Sequence, residues 1–365
     1  MKKEKNYNII STNKCNMKCK YCYSGESKNT LTMTLETAEK LCEHICNDIK
    51  KNNIEKVQVI FEGNEPLLNF EVFEYVCIKL SKELTEVEVD LSIFTNLVAM
   101  NDYHLNFFKK NKISVHTSLD GDEIIHDTNR GKGTYELVST NIKKLVENKI
   151  KVNVSATVSR FSLKKPKEIV DTYLSLGLNY INLRYLHKLG DGNKQWNLLS
   201  YNPEEYLDFY KKVILYLIKL NFQGINIVEG NAMFFFHKIF SPEKVEMYSL
   251  PCNGVCKQLL YDPKGEIYTC DEGRNNPDLH KIGTIEKDID NSKVNKFYDT
   301  NNSVASKYCA ECEIKHICGP CIALNSPTEI IYEERCYIIK NLYYYFSELF
   351  KNQALYQYYK RKAQE

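Results

Sequence analysis

No stretch of this 365-residue chain approaches the roughly 18 consecutive apolar residues that cross a bilayer. The richest run, Val213 to Leu220, is short and contains Lys219. An excess of one charge is missing too: 49 Lys+Arg stand against 47 Asp+Glu, a formal charge of +2, with no long block of like sign. Such a surface lacks the electrostatic footprint of a nucleic-acid binder. The N-terminus opens with lysines but turns polar before any apolar stretch of signal-peptide length. These absences predict a cytoplasmic protein with neither membrane nor nucleic acid among its partners.

Cysteine, by contrast, is abundant, with 14 residues. Disulfide scaffolds are secreted chains, mostly under about 100 residues, and neither condition holds here. Cys42, Cys46 and Cys77 fall inside helical patterns and read as small buried apolar residues. The others form two groups: Cys15, Cys19 and Cys22, then Cys252, Cys256, Cys270, Cys309, Cys312, Cys318, Cys321 and Cys336. Metal-ligand spacing is therefore the first reading to test.

Periodicity gives the frame. Short apolar runs at Tyr7–Ser11, Val57–Phe61, Glu88–Phe94, Ile113–Ser118, Val152–Val158 and Tyr180–Tyr185, with another at Ile225–Val228, alternate with amphipathic stretches. Those stretches are Leu35–Lys51, Phe70–Lys82, Asp102–Lys109, Thr134–Asn148, Pro166–Leu176 and Pro203–Lys219. Six βα units predict an α/β fold, a partial (β/α)6 TIM-like barrel over residues 1–235, with its site in the loops after the strands. The alternation weakens near residue 240. Residues 236–365 are expected to form a small cysteine-rich domain with little regular structure, a hairpin around Asp262–Gly265, a helix at Tyr337–Leu349 and a frayed tail. Metal ligation would hold such a domain together. The Phe234–Phe236 run suits core packing or a substrate-facing wall.

Three thiolates within eight residues, Cys15-Asn-Met-Lys-Cys19-Lys-Tyr-Cys22, leave one iron of a four-iron cluster open. This CxxxCxxC resembles the signature of the radical S-adenosylmethionine (SAM) superfamily. The resemblance implies that the fourth iron chelates SAM, that reductive cleavage yields a 5′-deoxyadenosyl radical, and that Tyr21 packs near adenine. Phe61-Glu-Gly-Asn-Glu-Pro66 resembles the family's GGEP segment, so Gly63, Asn64, Glu65 and Pro66 are implied near the methionine amino group, with Asn64 departing from the commonest glycine. Ser118-Leu-Asp-Gly121 and Arg130 resemble a segment of the peptide-modifying members. Ser118 is implied at the ribose or carboxylate of SAM, and Arg130 at a carboxylate or as a shaper of the pocket. Asn96 resembles part of a T-N-G turn in which Leu97 replaces glycine.

Eight later cysteines match the thiolates of two four-iron clusters, while Cys309-x2-Cys312 and Cys318-x2-Cys321 also suit zinc knuckles. The set resembles the SPASM extension of peptide and protein maturases, with a two-residue gap, Gly319 and Pro320, where three is usual. The resemblance implies an inner auxiliary cluster on Cys252, Cys256, Cys270 and Cys321, and an outer one on Cys309, Cys312, Cys318 and Cys336. It further implies three [4Fe-4S] clusters in all, SAM as cofactor, a low-potential donor such as flavodoxin or ferredoxin, and an anoxic setting. The open iron implies that air inactivates the enzyme before unfolding it.

Asp271 follows Cys270 and resembles the aspartate base of anaerobic sulfatase maturases, the other reading being a cap of the turn before Gly273. The wider segment Leu259 to Arg274 resembles ribosomal-peptide maturases of the His-Xaa-Ser type. The favoured expectation is therefore a monomeric enzyme that oxidatively crosslinks a ribosomally made precursor peptide. Formylglycine formation at a substrate Cys or Ser is the alternative, and a zinc-organised peptide-binding protein is an alternative from another class. No leader-binding domain is expected, and Glu62, Arg184, His187 and Arg274 are further polar residues at loops or strand ends.

Overall fold

The computed structural model describes residues 2–24, 30–242, 252–315, 317–319, 321–325 and 329–364. Eleven strands form one sheet: β1 (Glu4–Ile9), β2 (Lys56–Phe61), β3 (Glu88–Phe94), β4 (Ser114–Ser118), β5 (Val152–Thr157), β6 (Tyr180–Arg184), β7 (Val228–Glu229), β8 (Gln258–Tyr261), β9 (Glu266–Tyr268), β10 (Lys281–Thr284) and β11 (Asp288–Ile289). Their order is β11-β10-β9-β8-β1-β2-β3-β4-β5-β6-β7. From β1 to β7 every pairing is parallel. The α/β class and the parallel sheet expected from the alternation are present.

Along these strands one face is apolar and carries the helices. Tyr7 and Ile9, Val57 and Val59, Ile93, Val115, Ala156, Ile181 and Leu183 are all buried. Phe61 meets Phe73 edge-on, and the Tyr7 hydroxyl donates to Asp48, each partner lying on a covering helix. The alternating positions read Gln58, Ser92, His116, Ser155, Asn182 and Arg184, none of them fully buried. A packed TIM barrel fills that inner face with branched apolar residues. Here the face is mixed, with polar side chains standing beside Ile60 and Phe94.

The helices begin where the sequence places them. The Thr34 hydroxyl accepts from Thr37 N to open Leu35–Asn52, left-handed Asn53 closes it, and Ala38, Leu41, Cys42, Ile45, Cys46 and Ile49 form its buried face. Cys42 and Cys46 are thus packing residues, as is buried Cys77. One helix, Glu123–Arg130, lies in a segment with no apolar period. Its buried face is Ile125, His126, Asn129 and Arg130, a largely polar set that hydrophobic periodicity does not reveal.

After residue 240 there is more regular structure than expected. The hairpin is present as β8 and β9, and β8 pairs parallel to β1, so the cysteine-rich region continues the barrel's own sheet. Helices Asn291–Cys309, Glu329–Leu349 and Gln353–Lys362 follow. The tail expected to fray is helical to Lys362 because Tyr359 is buried against Phe236 and Phe350. Helix Gly230–Phe240 spans residues 235 and 236, and its Phe235 stacks on Phe346 at 5.3 Å. The phenylalanine run is therefore core. Among the described residues no helix is long and apolar enough to cross a membrane.

Candidate active site

The first three cysteines occupy the loop after β1, each partly buried. Met17 N donates to Cys15 Sγ at 3.4 Å and Cys22 N to Cys19 O at 3.2 Å, which folds the loop back on itself. Burial pushes the Cys19 thiol up to about 11, with the Arg130 charge opposing. Beneath the loop lies Asp120, fully buried at the end of β4. It accepts from the Tyr21 hydroxyl, from Asn129 Nδ2 at 3.0 Å, from Arg130 Nε at 3.2 Å and from Thr157 N at 3.1 Å. The Arg130 guanidinium also lies 5.3 Å from the centroid of the Tyr21 ring. Sequence reasoning quoted Asp120 only as part of a motif; the carboxylate is the hub that fixes Tyr21 and Arg130.

A second buried carboxylate organises the loop after β2. Glu65 accepts from Leu67 N at 3.0 Å, Thr95 Oγ1 at 2.7 Å and Asn96 N at 2.7 Å, and its own N–H donates to Lys14 O at 3.1 Å. It thereby ties the ends of β2 and β3 to the cysteine loop. Burial raises its carboxyl to about 7 although those donors pull the other way. Gly63 has φ +101, and a Cβ there would meet Ile10 Cγ2 at 2.9 Å, so only glycine suits this turn. Asn64 Nδ2 donates to Asn13 O, and Pro66 starts the short 3-10 turn Pro66–Asn69. Leu97 keeps a left-handed φ of 64° at the place where glycine was expected. Asn96 reaches Asn16 Oδ1 at 2.7 Å. Ser118 ends β4, in register with Ser155 of β5.

Charged groups converge above these loops. Glu62 has one oxygen, Oε1, that is buried without a hydrogen-bond partner among the described residues. Burial, then Asp271 and Glu272, push its carboxyl well above the usual range, while Arg274 and Arg184 oppose. His187 is held down to about 4 by burial and by Arg184 and Arg335. His116 is held near the same value by burial, Lys151 and Arg184, and it stacks on Phe94 at 4.3 Å. Glu62 thus feels Arg184 and Arg274, and His187 feels Arg184.

The later cysteines fall into two sets. Cys252 feels the charge of Cys256, Cys321 that of Cys252, and Cys270 that of Cys321. Cys309, Cys312, Cys318 and Cys336 line a small pocket with Arg335, Ile314 and Lys340. No disulfide joins the described cysteines, and among the described residues no three His, Cys, Asp or Glu side chains close on one point as single-ion ligands do. Pro320, in the short gap, lies outside the described residues. Asp271 faces the cysteine loop. Its Oδ2 accepts from the Tyr23 hydroxyl, while Arg274 approaches Oδ1 through Nε at 3.0 Å and Nη2 at 2.9 Å. Tyr23 carries no motif that would have identified it.

Residues 9–172 match the model of the radical SAM superfamily. A cysteine-type anaerobic sulfatase-maturating enzyme of Clostridium novyi is 26% identical over 331 residues, covering 82% of this chain and 83% of that one. The radical SAM cyclopropyl synthase TigE of Paramaledivibacter caminithermalis is 25% identical over 338 residues, covering 86% and 67%. Among solved structures, the anaerobic sulfatase-maturating enzyme anSMEcpe with bound AdoMet superposes with a TM-score of 0.77 at 18% identity, over 95% of this chain and 99% of that one. Streptococcus suis SuiB bound to the precursor peptide SuiA gives 0.61 at 15%, over 88% and 73%. The radical SAM superfamily model thus covers residues 9–172, and the chain is an enzyme similar to the sulfatase-maturating and peptide-modifying proteins named here.

Proposed function

We propose that this enzyme oxidises a ribosomally made precursor peptide and joins two of its side chains. Cys15, Cys19 and Cys22 hold the SAM-binding cluster. Cys252, Cys256, Cys270 and Cys321 hold an inner auxiliary cluster, and Cys309, Cys312, Cys318 and Cys336 an outer one, with no ligand position left open in either. The donor chemistry supports this assignment: Cys15, Cys19 and Cys22 lie within one loop, and Cys309, Cys312, Cys318 and Cys336 line one pocket. When bound, a reduced cluster with SAM supplies a primary carbon radical that removes hydrogen from substrate. The chain's own residues do the rest. Gly63 to Pro66 present backbone, Asn64 Oδ1 is a buried acceptor without a partner among the described residues, Tyr21 offers a ring face, Ser118 closes the strand end, and Arg130 shapes the pocket through Asp120. Residues 1–235 are the radical domain and residues 236–365 the auxiliary one. The chain acts as a monomer and takes electrons from a low-potential flavodoxin or ferredoxin.

The observation that carries crosslinking over formylglycine formation is the state of Asp271. Both of its oxygens are taken, one by Tyr23 and the other by Arg274, so accepting a proton means giving up an ion pair. Formylglycine formation stays as a second reading because the sulfatase-maturating relative of Clostridium novyi matches most of both chains. Incubation of the anaerobically reconstituted enzyme with peptides encoded beside its gene, then tandem mass analysis with a hydrazine trap, separates the two. Loss of two hydrogens with a new side-chain linkage supports crosslinking; a trapped aldehyde at Cys or Ser overturns it.

A further inference from the structure

The segment after β6, residues 187–199, lies directly on the cysteine loop. Gly190 adopts φ +52, and a Cβ on it would stand 2.4 Å from both Cys22 O and Tyr23 O. The next N–H, of Asp191, donates to Cys22 O at 2.8 Å. A Cβ on Gly192 would meet His187 O at 2.9 Å and Tyr21 Cα at 3.5 Å. The far end of the segment is fixed as well: Leu199 O accepts from Arg160 N at 2.8 Å, and Ser200 O accepts from Arg160 Nε at 2.8 Å. The cysteine loop is thereby gripped at Cys22 by backbone from the opposite end of the parallel sheet, at a separation only glycine permits.

We propose that residues 187–199 form a clasp that positions Cys22, with Gly190 as the positioning residue. Neither the cysteine spacing nor the motif after β2 requires such a contact. The loop's own hydrogen bonds leave the Cys22 carbonyl to Asp191, so the direction in which the third thiol points is set by a segment about 170 residues downstream. The inference rests on Cys22 being a cluster ligand, and its test has one arm that needs no cluster.

Three variants of the full chain are compared with the parent: Gly190→Ala, Gly192→Ala and Gly224→Ala. Gly224 also has positive φ, +86, but a Cβ there meets nothing within 4 Å, so it reports backbone strain without a clash. The first readout is trypsin cleavage after exposed Lys18 in the metal-free chain. The second is the change that SAM produces in the electron paramagnetic resonance spectrum of the reduced, reconstituted enzyme. Gly190→Ala should speed cleavage after Lys18 by about tenfold or more, the local opening expected of such overpacking, and should abolish the SAM-dependent spectral change. Gly192→Ala should fall between, and Gly224→Ala should match the parent in both. If Gly190→Ala fails to fold, Gly192→Ala carries the comparison. Parent-like cleavage in both clasp variants overturns the proposal. A parent enzyme whose spectrum ignores SAM removes the premise about Cys22, even where cleavage differs.

Discussion

Tyr23, the residue after the last cysteine of the first group, donates its hydroxyl hydrogen to Asp271, 248 positions away and next to Cys270. A single hydrogen bond therefore links the loop proposed to carry the SAM cluster with the loop proposed to carry an auxiliary ligand. Asp271 is 8% exposed, and its other oxygen belongs to Arg274. The two cysteine regions are joined through a carboxylate that neither could satisfy alone.

Tyr23→Phe should cost about 1–3 kcal/mol of stability, the range for leaving a buried acceptor short of its donor. Asp271→Asn should cost more, about 3–5 kcal/mol, because it strands the mostly buried Arg274 cation. The double variant should be no worse than Asp271→Asn. Anaerobic denaturation of the four proteins gives the coupling directly, and strictly additive losses would show that the two side chains do not act together.

Asp120→Asn should be the most disruptive conservative change in the radical domain. It removes the negative partner of Arg130 and places an amide among donors from Tyr21, Asn129 and Thr157. The expected loss is about 3–5 kcal/mol, with weakened SAM binding in calorimetry of whatever protein folds. A variant with parental melting temperature and SAM affinity would reject the hub.

Glu65 predicts a pH signature. Its carboxyl titrates near 7 when folded against an ordinary value of 4.5. The folded state then binds more protons than the unfolded state between those values, so this residue's contribution to stability falls as pH rises from about 4.5 to 7 and levels off above. Glu65→Gln keeps one of the two acceptor oxygens, at a cost that does not vary with pH, and abolishes the titration. The stability difference between parent and variant should therefore change across that window in favour of the variant as pH rises. A difference that is flat with pH would contradict the raised value.

Air should abolish activity before it changes the fold, because a four-iron cluster held by three thiolates leaves one iron without a protein ligand, whereas each proposed auxiliary cluster would have four thiolates. Activity and circular dichroism followed together through graded oxygen exposure test this order. Simultaneous loss would refute it. Chelation of all iron should then loosen the region after residue 250, measured as faster hydrogen exchange in helix Asn291–Cys309.

The sequence by itself determined what local spacing can encode. Cys15, Cys19 and Cys22 lie within one loop, Gly63 to Pro66 within one turn, and the strand and helix periods repeat over short windows, so the parallel α/β frame and the radical SAM character were legible. Tertiary structure alone decided the partnerships. Asp120 became a hub because β4, β5 and the cysteine loop meet at it. The polar helix Glu123–Arg130 buries Asn129 and Arg130 because both bond to Asp120, and Asn129 also accepts from Ser159. The region after residue 240 gained order because β8 found β1 as a sheet neighbour and Tyr359 found Phe236 and Phe350. Tyr23 with Asp271, and Gly190 with Cys22, are set by which strand ends the closing sheet brings side by side. No local pattern records that adjacency, since burial and hydrogen-bond satisfaction are properties of the assembled chain.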